Sequence, residues 1–299
     1  MTSQVTRSGF IAVAGRPNAG KSTFINQVVG HHVAIVSPIA QTTRRVVRAA
    51  CTVGTTQLVF VDMPGSQQPV DRLTHRMQAA VEHTIGDVDV VLWVIDATDR
   101  PERGERKVAD MVFDAGVPVV IALNKVDQCK PDIIARRITE LLDVIGGREY
   151  HALVPISARS GDGCTELVAE LSALLPEGAA WYDESTPTDM RDSERISEYV
   201  REAALGYLRE ELPHATIVEV DELEYNDDGS LHIECIIHVE TESQKGIVVG
   251  KGGAMIRQIG VDARARIEQQ FGVNAYLGLR VKVRKRWRDD DAWLERSGL

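Results

Sequence analysis

The chain has 299 residues, 43% of them apolar and 26% charged, with a formal net charge of −10, so it is long enough for two domains with cores of their own. Its four cysteines are scattered without C-x-x-C spacing and read as reduced core or surface thiols, not as a metal site. The first residues lack a signal-peptide core, and the longest apolar stretch, 88–97, is interrupted by Asp89 and Asp96 and too short to span a bilayer, which predicts a cytosolic protein.

In chain order, the apolar run Phe10 to Ala14 predicts a buried strand. It feeds Gly15, Arg16, Pro17, Asn18, Ala19, Gly20, Lys21, Ser22 and Thr23, a G-x-x-x-x-G-K-S loop opening a helix. The glycines let backbone N–H groups approach a phosphate, and the helix N-terminus favours its charge. Lys21 would reach the β- and γ-phosphates, and the Ser22 hydroxyl would ligate Mg²⁺. Next, the strand Leu58 to Val61 ends in Asp62, Met63, Pro64 and Gly65. There Asp62 would hold Mg²⁺ through water, and the Gly65 N–H would sense the γ-phosphate.

A third strand, Pro118 to Leu123, ends in Asn124, Lys125, Val126 and Asp127, an N-K-x-D set. A carboxylate there accepts from N1–H and the exocyclic amine of guanine and repels adenine's acceptor edge. Val154 to Ile156 then runs into Ser157, Ala158 and Arg159, a turn able to offer a backbone N–H to the guanine O6. Each piece alone is modest, since an N-K-x-D can be a bland surface loop. Four pieces in this order, each after an apolar strand, predict a GTP-binding domain over 1–176, an α/β fold with a doubly wound, mostly parallel sheet.

Residues 177–192 combine turn formers and acids without periodicity and read as a linker. The second domain, 193–299, opens with a helix predicted from Ser193 to Glu211, then strands over 216–224 and 231–240 joined at Asn226 to Gly229. Ile247, Val249, Gly250, Lys251, Gly252 and Gly253 follow in a short helix and a G-x-x-G loop, before a second helix running to about Phe271. The α-β-β-α-α-β order predicts an α+β, type II KH domain, in which this loop clamps the backbone of single-stranded nucleotides.

Charge supports a nucleic-acid partner despite the acidic total. Between Lys245 and Arg288 there are eleven Lys and Arg against two acids, a net of +9, which leaves −19 for the rest of the chain. A last strand predicted from Ala275 to about Arg288 would place Arg280, Lys282, Arg284, Arg286 and Arg288 on one face as a cationic stripe. The bland alternative is a solvated charge run.

These motifs, with Gln41, Thr42, Thr43 and Arg44, the stretch Ser243 to Gly253 and the stretch Val281 to Arg288, resemble the Era family of bacterial GTPases from the first loop to the tail. The resemblance implies a Ras-like P-loop GTPase domain joined to a type II KH domain. It implies a switch that hydrolyses GTP, binds the 3′ end of 16S rRNA, and assists 16S rRNA processing and assembly of the 30S ribosomal subunit. It also implies GTP/GDP and Mg²⁺ as ligands, a monomer, and a cytoplasmic location with peripheral membrane contact. Thr42 or Thr43, with Thr43 favoured, would close on Mg²⁺ and the γ-phosphate.

The hydrolytic machinery departs from Ras-type enzymes. Ser66 stands where those keep a water-positioning glutamine, and Gln67 comes one residue late. In related GTPases lacking the glutamine, an asparagine in the phosphate loop coordinates K⁺, and Asn18 holds that position; its alternative role is to cap the turn. Catalysis is therefore assigned to Lys21, Thr43, Gly65 and Asn18, with slow intrinsic turnover raised by K⁺ or RNA. His31 and His32 read as a solvated loop pair. Among rivals, a membrane-trafficking GTPase needs no KH loop or basic strand, and an RNA scaffold with a dead nucleotide site would not keep Lys21, Ser22, Asp62 and Asp127. A GTPase with two such domains in tandem is opposed by the single phosphate loop, and an ATPase by the N-K-x-D set.

Overall fold

The computed structural model describes residues 5–37, 39, 43–64, 69–101 and 103–299. They fall into two compact units, one within 1–34, 43–68 and 76–189, the other within 35–42, 69–75 and 190–299.

The first unit is built on strands β1 (Arg7–Ala14), β2 (Val47–Val53), β3 (Thr56–Asp62), β4 (Val90–Asp96), β5 (Val119–Asn124) and β6 (Ala152–Pro155). Their order is β2-β3-β1-β4-β5-β6, parallel throughout except for the antiparallel β2–β3 pair. The intervening helices are α1 (Lys21–Val29), α2 (Arg72–Ile85, of which 76–85 belong to this unit), α3 (Arg103–Phe113), α4 (Pro131–Ile145) and α5 (Cys164–Leu174). β3 and β5 are buried at every position, as parallel strands covered on both faces must be, and so they read as continuous apolar runs. One core layer is centred on Phe24, Phe60 and Leu92, with Phe24 and Phe60 edge-to-face at 5.6 Å, and the other on Trp93, Ile121 and Leu141.

The stretch read as a linker is fastened to this unit. Glu177 bridges to Arg7 and Thr188 to Ala49. The buried Gln57 donates from Nε2 to the Tyr182 carbonyl at 2.7 Å and accepts the Trp181 and Tyr182 N–H groups at 2.7 and 3.1 Å. Turn-forming composition without periodicity predicts irregular backbone, and irregular it is, yet a single amide from β3 satisfies three of its polar groups.

The second unit comprises α6 (Asp192–Tyr207), α7 (Leu212–Ala215), β7 (Ile217–Tyr225), β8 (Leu231–Val239), α8 (Glu242–Val249), α9 (Ala254–Phe271), β9 (Ala275–Val283) and α10 (Asp291–Arg296). Its sheet runs β7-β8-β9, antiparallel then parallel, and α6 and α9 pack on one face through Ile196, Val200, Ile259 and Ala263. Apart from the short helices α7 and α10, the α-β-β-α-α-β order is the one the sequence predicts. Two boundaries differ by more than one residue. The first helix stops at Tyr207 instead of Glu211 because Leu208 turns extended and Glu210 takes a φ of +56°. The last strand stops at Val283, well short of Arg288. The chain turns at Arg286, φ +53°, because Trp287 points inward, fully buried, with its indole Nε1 donating to the Ala215 carbonyl at 2.9 Å.

The three consecutive aspartates 289–291 have a structural role. The Asp290 side chain accepts the Trp293 N–H at 3.1 Å and caps α10, and Trp293 stacks edge-on against Trp287 and His238 at 5.5 Å each.

Candidate functional site

The phosphate loop connects the C-terminal end of β1 to α1. Gly15 takes a φ of +147°, and a Cβ there would lie 2.3 Å from the Val94 carbonyl oxygen. Gly20, φ +97°, has the Asn124 amide nitrogen 2.1 Å from where a Cβ would stand. Both glycines are thus demanded by close approach as well as by backbone conformation. Lys21 is buried, and its ammonium donates to the carbonyls of Gly15 and Arg16 at 3.1 and 3.2 Å, curling the loop around the charge. Burial lowers its pKa, opposed by the carboxylates of Asp62 and Glu105. The loop therefore holds a desolvated cation at a helix N-terminus, a setting that favours a bound anion. Asn18 sits exposed at the loop's crest with a φ of +64°.

Behind the lysine, Asp62 is fully buried. Its Oδ2 accepts the Ser22 hydroxyl at 2.8 Å and the Thr43 hydroxyl at 3.2 Å, while its Oδ1 is buried without a hydrogen-bond partner. Burial pushes this carboxyl up, opposed first by Lys21 and then by the two hydroxyls. An orphaned carboxylate oxygen beside two converging hydroxyls fits a hard cation with oxygen ligands such as Mg²⁺. Met63 and Pro64 are buried, Met63 within the core layer around Trp93. Gly65, together with Thr42, Ser66 and Gln67, lies outside the described residues.

The predicted base-reading residues fall into two groups. Asn124 is buried; its Nδ2 donates to the Ala19 carbonyl at 2.8 Å and its Oδ1 accepts the Ala158 N–H at 2.9 Å. It therefore staples the phosphate loop to the Ser157–Arg159 turn. That engages the Ala158 N–H, while the Ser157 N–H goes to the Asp162 carbonyl. Lys125, at a φ of +64°, reaches back to Asp96 at 2.5 Å. Val126 and Asp127 begin a short 3-10 turn, and the Asp127 carboxylate is exposed. Thr23 follows Ser22 in the first turn of α1.

Sequence reasoning missed Glu105. It is buried at the start of α3, 3.7 Å from the Arg16 guanidinium, and its Oε1 has no hydrogen-bond partner. Nothing in its sequence neighbourhood marks it. No group of three or more His, Cys, Asp or Glu that could hold a metal occurs among the described residues, and burial pushes the thiols of Cys51 and Cys235 up to about 12, which makes them poor nucleophiles.

In the second unit the G-x-x-G loop joins α8 to α9. Gly250 has a φ of +73°, and a Cβ there would lie 2.7 Å from the Met255 Cβ; Gly252 and Gly253 also take positive φ. From Gly253 an open groove of about 500 Å³ runs between α9 and β9. Ile256, Gly260 and Val261 form its helical wall and Leu277 and Leu279 its strand wall. Ile247 is exposed on α8, Val249 packs towards the core and Lys251 is exposed in the loop.

The predicted cationic stripe does not form. Once the strand ends at Val283, each later arginine finds an acid nearby. Arg284 pairs with Asp290 at 2.7 Å and lies over the Trp293 ring, Arg286 pairs with Asp289 at 3.2 Å, and Arg288 pairs with Glu240 at 2.9 Å. Arg280 is on the strand but bonds Asp221 at 2.6 Å. Alternation puts Arg280 and Lys282 on the sheet face opposite Leu277 and Leu279, so away from the helical side. The cations that do line the groove are Arg257 and Arg264 of α9. They are seven residues apart, on one helix face. A count of charge per segment cannot find them; helical phase can.

Two family models match parts of the chain. Residues 10–125 match the family described as 50S ribosome-binding GTPase, and residues 211–288 match the KH domain family. The chain is 39% identical to GTPase Era of Carboxydothermus hydrogenoformans over 297 residues, 98% of each chain. Among solved structures it is similar to Era in complex with MgGDPNP and nucleotides 1506–1542 of 16S ribosomal RNA. That match has a TM-score of 0.92 and 33% identity, over 97% of this chain and 98% of the other. A variant of Aquifex aeolicus Era bound to GDP and AlF₄⁻ gives a TM-score of 0.91, with the same identity and coverage.

Proposed function

The chain belongs to the Era family of GTPases, and on that footing we propose that it is a GTP-hydrolysing switch that binds the 3′ end of 16S rRNA and assists 16S rRNA processing and 30S subunit assembly. The observation that carries the nucleotide half is the cluster of Lys21, Ser22, Thr43 and Asp62, with its orphaned carboxylate oxygen, beside a loop stapled by Asn124. In it Lys21 contacts the β- and γ-phosphates, Ser22 and Thr43 ligate Mg²⁺, and Asp62 holds the ion through water. Mg²⁺ bound there neutralises charge developing on the phosphates. The Gly65 N–H senses the γ-phosphate, Asp127 pairs with guanine, and Asn18 takes K⁺. Equal hydrolysis rates in K⁺ and Na⁺ would overturn the last assignment.

RNA is held by the loop 250–253 and the groove beside α9, with Arg257 and Arg264 supplying phosphate contacts that Arg280, Arg284 and Arg286, already ion-paired, supply less well. GTP orders the segments around Thr43 and Asp62, and RNA binds that form better than the GDP form. By linkage, RNA then tightens GTP relative to GDP by the same factor. The chain works as a monomer in the cytoplasm, with peripheral contact to the inner face of the cell membrane. No helix among the described residues is long and apolar enough to cross a membrane.

The test is binding of a labelled 16S rRNA 3′-end fragment to protein loaded with GDP or a non-hydrolysable GTP analogue. Gly252→Asp serves as control, since aspartate tolerates the +60° φ there better than most residues. Tighter binding with the analogue, abolished by the substitution, is the expected result. Binding indifferent to nucleotide would sink the coupling, and no binding in either state would sink the RNA reading.

A further inference from the structure

At the end of the groove the edge strand carries an aromatic side chain that neither folding nor ion pairing uses. Tyr276 is 56% exposed; alternation places it with Arg280, on the face away from Leu277 and Leu279, yet on this edge strand it still reaches the rim of the groove that Val261 and Arg264 of α9 also line. Its ring is not loose. It stacks on the imidazole of His232, its cross-strand partner on β8, with centroids 4.7 Å apart and planes 13° from parallel. A phenol ring that gives one face to an imidazole and is still more than half exposed has its other face open. Tyrosine on a strand has two rotatable side-chain torsions, and the stack against His232 fixes the ring before anything binds, which lowers the entropy lost on docking.

We propose that Tyr276, backed by His232, is a stacking platform for one unpaired RNA base beyond those lying in the groove between α9 and β9. This rests on the RNA reading given above. The occupant follows from the chemistry at hand. A flat, apolar face next to an exposed arginine suits a nucleobase, whose π-face stacks on the ring while its phosphate meets the guanidinium. Arg264, lining the same groove, supplies that cation. The ring face carries the interaction, not the hydroxyl, so sequence preference at this base is weak. The platform therefore fixes how many nucleotides the site covers.

Fluorescence anisotropy with labelled single-stranded RNA tests this in the full-length protein loaded with a non-hydrolysable GTP analogue. Tyr276→Ala should weaken binding about tenfold, Tyr276→Phe should leave it within twofold, and His232→Ala should give an intermediate loss. An abasic site walked along the RNA should weaken wild type at one position beyond the groove, and at that position Tyr276→Ala should add no further loss. Full-strength binding by Tyr276→Ala, or equal losses at every abasic position, would overturn the platform while leaving RNA binding in place. Failure of wild type to bind, or binding insensitive to Gly252→Asp, would overturn the RNA reading and the platform together.

Discussion

Asn124→Ala separates a residue that holds the nucleotide site together from one that merely touches the base. The side chain is 2% exposed and closes two buried hydrogen bonds, to the Ala19 carbonyl at 2.8 Å and from the Ala158 N–H at 2.9 Å. Truncation leaves both backbone groups unpaired in the interior, at about 1–3 kcal/mol each. Taking about 3 kcal/mol for the pair, and about 2–4 °C per kcal/mol for a unit of this size, the nucleotide-free unit should melt about 6–12 °C lower. Differential scanning calorimetry in EDTA without nucleotide reads this directly. The companion Asp127→Ala removes an exposed carboxylate and should leave that transition unmoved while relaxing GTP preference over ATP by roughly a hundredfold. An Asn124→Ala chain that melts within 2 °C of wild type, yet loses nucleotide affinity, would refute the staple and make Asn124 a base contact only.

Three further outcomes are expected. The folded chain holds the Asp62 proton more tightly than the unfolded chain, whose carboxyl stays near 3.8, so the stability of the metal-free form falls as pH climbs from there through the raised folded value. Asp62→Asn should remove that fall and raise the neutral-pH Tm in EDTA while abolishing Mg²⁺-dependent nucleotide binding; a lowered Tm would contradict the assignment. Arg257→Ala and Arg264→Ala should each reduce the salt slope of RNA binding by roughly 0.7, whereas Arg284→Ala, which unmakes contacts to Asp290 and Trp293, should lower Tm and spare the slope. Gln57→Ala should free the stretch around Trp181 and Tyr182, read as faster chymotryptic cleavage there, about tenfold for each 1.4 kcal/mol lost; an unchanged rate would mean that the stretch is held by something other than Gln57.

The parallel-sheet unit was legible because its signals are local: an apolar run, then a short polar motif at the strand's end, four times over. What stayed hidden was set by contacts distant in sequence. The partner of Asn124 lies 105 residues away at Ala19, and Glu105 meets Arg16 across a similar gap, so neither role has a spacing to read. The segment 177–192 likewise looked featureless because its hydrogen bonds go to Gln57 and not to itself.

Strand parity misled at the C-terminus for a definable reason. Alternation over Arg280 to Arg288 is broken as a sequence pattern at Lys285 alone, but a pattern of period two is a strand only where the backbone has a ladder partner. β8 ends at Val239, which pairs with Val283, so beyond Val283 no strand is available to pair. There the burial of Trp287 and Trp293 outweighs extension, because two indoles remove far more apolar surface from water than a few unpaired strand residues could. Folding back also brings Asp289 and Asp290 against Arg286 and Arg284, which neutralises the local charge that had pointed to RNA. The field an RNA meets at the groove then comes from cations that line it or its loop and form no ion pair among the described residues, Arg257 and Arg264 on the helical wall and Lys251 in the loop. Net charge along the chain signalled a nucleic-acid partner, but only the three-dimensional pairing of acids with bases decides which arginines are free to meet it.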